Sequence, residues 1–238
     1  IAAIAAATPA QDYTTIQPDA LRRYVEDYTP AFERPGPAVA TRDLSIPGPA
    51  STLFARRYQA HPGQGLPLVL FFHGGGFVTG SVRTTDSICR AIAQEVPAIV
   101  VNAEYRLAPE HPFPAAVEDV RAVLAWCHAE AEALGIDPTR IAVMGESAGA
   151  NLAAVLAHLV RDEGGPALRH QALVYPGPDA SRSSPSMEEN ADGAFLTRES
   201  IEFYDRCYVP RVEDRKDPRV SPILYPSFAG LPSATIVT

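Results

Sequence analysis

Met144-Gly145-Glu146-Ser147-Ala148-Gly149-Ala150-Asn151 is the stretch whose reading decides the fold. Before it stands Arg140-Ile141-Ala142-Val143, a short apolar run suited to a strand. After it stands Leu152-Ala153-Ala154-Val155-Leu156-Ala157, a run suited to a helix. A serine between two glycines, G-x-S-x-G, at a sharp strand-to-helix junction is a nucleophile elbow. Such a turn strains the serine backbone and lifts the hydroxyl above the end of the sheet. Gly145 and Gly149 are needed because a side chain there would run into the neighbouring strand or helix. Five residues alone are a weak pattern; the flanking strand and helix supply the context. Ser147 is therefore the candidate nucleophile, set against the plainer reading of a turn serine.

Upstream, Leu66-Pro67-Leu68-Val69-Leu70-Phe71-Phe72 reads as a strand buried on both faces of a parallel sheet. It runs directly into His73-Gly74-Gly75-Gly76-Phe77. Ser87 to Ala93 reads as a helix, and Ala98 to Ala103 as the next buried strand. Pro114 to Leu134 carries Val117, Val120, Leu124, Cys127, Ala131 and Leu134 at three- and four-residue steps, the mark of an amphipathic helix. Gly135 is placed to end it. Downstream, Gln171 to Tyr175 is another strand, and Ala234 to Thr238 begins one more that should be buried. Leu53 to Tyr58 is expected at the sheet edge. Alternating strands and helices predict a doubly wound, mostly parallel α/β sheet in a single domain over residues 1–238.

Two segments fall outside the alternation. Residues 1 to about 49 hold a weak helical patch at Pro18–Val25 and then Pro30, Pro35, Pro37, Pro47 and Pro49, and read as a peripheral arm whose lid part is approximately residues 1–45. Residues 177–212 begin polar and then offer a helix capped by Thr197, with Ile201, Tyr204 and Tyr208 on one stripe. Both are expected to cover the active face as lid segments. The opening Ile1–Ala7, without Met, is read as a helix whose start is missing, rather than the tail of a signal peptide.

The formal net charge of -8 argues against nucleic acid or anionic membrane partners. No apolar run is long enough for stable membrane insertion. Cys89, Cys127 and Cys207 are an odd number without metal-ligand spacing, which predicts reduced, buried thiols and a cytoplasmic setting. No metal site and no cofactor are expected. Glu104, Glu110, Asp119 and Glu146 are scattered over different elements and read as structural acceptors. The glycine run is a poor phosphate loop, because neither a Lys-Ser/Thr pair nor G-x-G-x-x-G is present.

Taken together, His73-Gly74-Gly75-Gly76-Phe77, Tyr105-Arg106-Leu107-Ala108-Pro109-Glu110, Phe113-Pro114-Ala115-Ala116, Gly145-Glu146-Ser147-Ala148-Gly149 and Asp217-Pro218-Arg219-Val220-Ser221-Pro222 resemble the hormone-sensitive-lipase-like carboxylesterases of the α/β-hydrolase superfamily. The resemblance runs from about Leu66 to Thr238. It implies an α/β-hydrolase fold with a helical lid. It implies an oxyanion hole from the backbone N–H groups of Gly75, Gly76 and Ala148, with His73 and Gly74 supporting the glycine loop and Tyr105 and Arg106 bracing it. Two departures stand out: Glu146 occupies a position where many members carry Asp, and Ala150 one where a further Gly is usual. Packing effects only are expected from them.

A serine hydroxyl needs an adjacent base. In α/β-hydrolases the partners follow in the order Ser, acid, His. His61, His73 and His111 precede Ser147, as does His128 on the long helix. His158 lies in the helix after the elbow, and His170 enters a strand at its N-terminal end. The resemblance places the acid just beyond the strand that begins at Ala234, and the histidine further on. Triad acid and base are therefore expected outside residues 1–238, in a chain that continues.

The function implied is that of a serine carboxylesterase acting on short- to medium-chain acyl or aryl esters through an acyl-enzyme, without a cofactor. The partner expected is a small-molecule ester; a homodimer is compatible with the reading. A non-catalytic hydrolase-fold receptor, or an amidase or acyltransferase on the same scaffold, are the alternatives.

Overall fold

Leu68, Leu70 and Phe72 alternate with Val69 and Phe71 along one strand, and both sets find apolar cover. A strand needing cover on both faces puts the sheet between two helical layers. The computed structural model describes residues 11–32, 36–193 and 196–238. Its elements are α1 (Pro18–Phe32), β1 (Ala40–Pro47), β2 (Thr52–Gln59), β3 (Leu66–Phe72), α2 (Asp86–Glu95), β4 (Ile99–Ala103), α3 (Ala115–Ala129), α4 (Ala131–Leu134), β5 (Ile136–Glu146), α5 (Ala148–Glu163), β6 (Leu168–Val174), α6 (Pro185–Glu189), α7 (Arg198–Tyr208) and β7 (Ser233–Val237). The sheet order is β1-β2-β4-β3-β5-β6-β7. β1 and β2 pair antiparallel, as do β2 and β4; all other neighbours are parallel. This is the doubly wound, mostly parallel sheet expected.

The larger core joins Leu68, Leu70 and Phe72 to Val120 and Leu124 of α3 and to Leu152 and Leu156 of α5. On the opposite face Phe71, Tyr58 and Val100 pack on Cys89 and Ala93 of α2. The crossing order β4, β3, β5 puts the C-terminal ends of β3 and β5 side by side, with Phe72 opposite Gly145. The glycine run after β3 and the elbow after β5 thereby meet at one end of the sheet.

Several expectations change. Ala40–Pro47 is not part of an arm but the edge strand β1, with Leu44 and Ile46 buried between exposed neighbours. Leu53–Tyr58 consequently lies one strand in from the edge. The period-two pattern of β1 is short, and the prolines around it obscured it. The long helix breaks at Glu130 into α3 and α4, and Gly135 closes α4 at φ 75°. Ser233–Val237 is a strand, but each of its residues is exposed, because it pairs with β6 alone. Cys89 and Cys127 are buried as expected; Cys207 is only half-buried. The helix proposed for Ile1–Ala7 lies outside the described residues. Among the described residues no helix is long and apolar enough to cross a membrane.

Candidate active site

β5 ends at Glu146 and α5 starts at Ala148, which leaves Ser147 alone at the junction with φ 52° and ψ -119°. A residue with a Cβ rarely adopts this conformation, and it persists only where its surroundings over-determine it. Ser147 N–H donates to the Val174 carbonyl at 2.9 Å, and the Ser147 carbonyl accepts from Asn151 N–H at 3.1 Å. The flanking glycines permit the approach. A Cβ on Gly145 would stand 2.3 Å from the Gly149 carbonyl carbon, and one on Gly149 would stand 2.0 Å from the Phe72 oxygen.

The loop after β3 turns through φ 114° at Gly75 and 61° at Gly76. The Gly75 carbonyl accepts from the N–H groups of Val78 and Thr79 at 3.1 and 2.9 Å. Among the described residues no backbone carbonyl takes the N–H of Gly75, Gly76 or Ala148. Gly74 N–H donates to the Glu146 carboxylate at 2.5 Å, tying the glycine loop to the elbow. Glu146 thus does more than the packing role expected of it, because its carboxylate reaches across from one strand end to the next.

His73 is fully buried behind this loop. Its Nδ1 pairs with the Gly74 carbonyl at 2.8 Å, and its ring stacks on Tyr105 at 4.4 Å. The Tyr105 hydroxyl donates to the His73 carbonyl at 2.8 Å. Burial opposes charge on the imidazole, but hydrogen bonding and charge from Glu104, helped by the Gly74 carbonyl and Glu146, raise its pKa above the ordinary 6.5. Arg106 is held by the buried Asp119, whose carboxylate also accepts the Arg106 N–H at 2.8 Å. Glu104 accepts Val82 N–H, and Glu110 pairs with Arg22 of α1. These carboxylates are structural acceptors. Tyr105 braces the glycine loop through His73, whereas Arg106 ties its own segment to Ala115, Glu118 and Asp119 of α3 and not to the glycine loop.

Ser147 opens into a cavity of about 250 Å³. Gly76 and Ala148 line its lower part, while Phe77, Asn151, Tyr175, Pro176, Gly177, Arg182, Met187, Leu196, Ile201, Tyr204 and Asp205 complete it. Of the residues singled out from sequence, Ser147, Gly76 and Ala148 face the cavity. Gly75 does not line it, and His73, Gly74, Gly145, Glu146 and Gly149 sit behind it as support. None of the six histidines lines it. His158 is buried elsewhere, stacked on Tyr225 at 3.8 Å, and His170 bonds to Ser233 and Thr235.

The upper wall comes from the segment that interrupts the alternation. Thr197 and Ser200 cap α7 reciprocally, which fixes where the helix starts. α7 then presents Ile201, Tyr204 and Asp205 to the cavity. The Tyr204 ring sits against Gly76, where an added Cβ would come within 2.4 Å of it. Phe77 stacks on Tyr208 at 3.7 Å. From the other side, Tyr13 meets Phe203 and Tyr204 at 5.7 and 6.0 Å. Asn151 Nδ2 donates to the carbonyls of Gly177 and Val220 at 2.8 and 2.9 Å, clamping the start of the insertion and the Asp217–Pro222 turn onto α5. The stripe on α7 was visible in the sequence. Arg182, Asp205, Tyr175 and the clamp at Asn151 carried no signal, because each gains its role from a segment distant in the chain.

A family model described as the α/β-hydrolase fold matches residues 69–238. The chain is 43% identical over 210 residues to the carboxylic ester hydrolase LipN of Mycobacterium tuberculosis, covering 85% of this chain and 56% of LipN. It is 47% identical over 176 residues to the carboxylesterase NlhH of the same organism, covering 73% of this chain and 55% of NlhH. A hyperthermophilic esterase structure from the archaeon Pyrobaculum calidifontis superposes with a TM-score of 0.90 at 36% identity, covering 99% of this chain and 76% of that one. The chain spans about half the length of the curated relatives it matches.

Proposed function

Since the chain belongs to the α/β-hydrolase family, in its hormone-sensitive-lipase-like carboxylesterase branch, we propose that the protein hydrolyses carboxylic esters with Ser147 as nucleophile. One observation carries the reading. The strained Ser147 opens into a cavity beside backbone N–H groups of Gly76 and Ala148 that no described carbonyl accepts, with that of Gly75 on the same loop.

In this reading Ser147 Oγ attacks the ester carbonyl carbon, and the hydroxyl proton leaves to a general base. The carbonyl oxygen gains negative charge and accepts from the N–H groups of Gly75, Gly76 and Ala148. Collapse expels the alcohol, which regains a proton, and leaves an acyl-serine. Water then attacks that acyl group and regenerates Ser147. The resemblance assigns the base to a histidine that follows the acid, and no residue of the cavity described above is given that role. Three supports hold the donors ready: Glu146 on Gly74, His73 on the Gly74 carbonyl, and Tyr105 on His73. Preorganised donors of this kind need no reorganisation when charge develops.

Fluorophosphonate treatment of the full-length protein, followed by mass spectrometry of the Ser147 peptide, tests the proposal. An adduct on Ser147 that appears together with hydrolysis of p-nitrophenyl butyrate is the expected result. Folded full-length protein that neither forms the adduct nor hydrolyses the ester would overturn it.

A further inference from the structure

The upper wall of the cavity is mostly apolar, with one exception. Arg182 and Asp205 are the charged residues among its lining. The Arg182 guanidinium is held from one side only: Nε donates to Asp205 Oδ2 at 3.2 Å and Nη2 to Oδ1 at 2.8 Å. Asp205 is 7% exposed, so the pair is anchored in the wall and not waving in solvent. Asp205 also faces Arg215, whose Nη2 lies 3.8 Å from Oδ2. Two guanidinium groups therefore share one carboxylate, and the cluster carries an excess positive charge.

No described residue accepts from Arg182 Nη1. That nitrogen lies 3.8 Å from where a Cβ would stand on Gly177, another lining residue. Arg182 itself has φ 55°, a conformation a long side chain seldom takes, and one that persists here on the inner wall of the cavity.

We propose that Arg182 is a specificity-determining residue, selecting esters that carry a second, anionic acceptor such as a terminal carboxylate. Nη1 receives that group while Nε and Nη2 stay on Asp205. Phe77, Met187 and Ile201 hold the intervening carbons. The inference rests on the ester-hydrolase reading of Ser147 for the word ester, but the binding preference is separable from turnover.

The test therefore removes turnover. In the Ser147→Ala form of the full-length protein, calorimetric titration compares monoethyl succinate with ethyl butyrate, which differ by the terminal carboxylate. A charge-assisted hydrogen bond in a partly buried wall predicts about tenfold or tighter binding of monoethyl succinate. Adding Arg182→Met should remove most of that preference, and change ethyl butyrate binding by less than about threefold. Asp205 keeps Arg215 as a partner in that variant; if the wall loosens all the same, Arg182→Gln, which retains an N–H donor for Asp205 but no charge, carries the test, and it should lose the preference equally. Equal binding of the two esters, or a preference that survives loss of the Arg182 charge, would overturn the proposal. An inactive wild type with this preference intact would sink the hydrolase reading alone.

Discussion

Below Ser147 the cavity is made by backbone. Gly145 and Gly149 bring α5 against the ends of β3 and β5, and Gly74 N–H reaches Glu146 across the strand ends. Above Ser147 it is made by side chains: Tyr204 over Gly76, Phe77 on Tyr208, Arg182 on Asp205, and Asn151 gripping two carbonyls. The floor grows from neighbouring strands of one sheet. The roof is drawn in from residues 13, 151, 177–208 and 220, far apart in the chain. Reacting atoms need positions held within a fraction of an ångström, which a sheet end with strand-borne loops supplies. Substrate choice needs variety, which a side-chain wall allows without disturbing the floor. On this view, changes below should act on kcat, and changes above on KM and on the choice of ester.

The strongest way to break the contrast is Ser147→Ala, which should lower kcat by about 10⁴-fold or more with little change in ester binding, as for other nucleophile deletions. Esterase assay and calorimetry on the same preparation check it. Gly76→Ala strikes the seam between floor and roof. Its Cβ would meet the Tyr204 ring at 2.4 Å, at a φ of 61°. A loss of about 10²–10³ in kcat is expected, the size associated with one lost oxyanion donor. Combining it with Tyr204→Ala should recover only part, since the backbone strain remains while the clash is gone. Full recovery would mean that the seam is purely steric.

Glu146→Ala removes the acceptor of Gly74 N–H and should cost about tenfold in kcat with KM nearly unchanged, whereas Glu146→Gln should keep most of the activity. A loss that falls on KM instead would move Glu146 to the roof side of the contrast.

The smallest effect is expected from a residue in neither wall. Burial, with the Arg161 charge adding to it, pushes the His158 imidazole down to about 4 from the ordinary 6.5. Between these values the unfolded chain holds the proton more readily than the folded one. The His158 contribution is therefore full above pH 6.5 and falls as the pH drops toward 4. His158→Phe, which keeps a ring against Tyr225 and Phe228, should reduce the loss of Tm between pH 7 and pH 4 by about 2–4 °C. Scanning calorimetry across that range measures it, and kcat at pH 7 should not move.

The floor was legible residue by residue. Ser147 between Gly145 and Gly149, and the run Gly74–Gly76 after Leu66–Phe72, are contiguous patterns whose backbone demands only certain residues can meet. The role of Glu146 was half legible. Its place in the motif was plain, but its grip on Gly74 spans 72 positions and depends on β3 and β5 being neighbours. β1 was missed because its two buried residues, Leu44 and Ile46, make a pattern too short to outweigh the prolines near it. The sequence did not single out Arg182 or Asp205, since nothing local distinguishes a solvated arginine from one folded onto a carboxylate 23 residues away.

What the sequence determined by itself was the parallel part of the sheet, the elbow and the glycine loop, because periodicity and the steric demands of glycine act within a few residues. Only the tertiary structure decided which segments roof Ser147, that Glu146 ties loop to elbow, and that Arg182 keeps one donor turned away from its partner. Those contacts join residues distant in the chain, and their energy exists only once the strand order has brought them within reach.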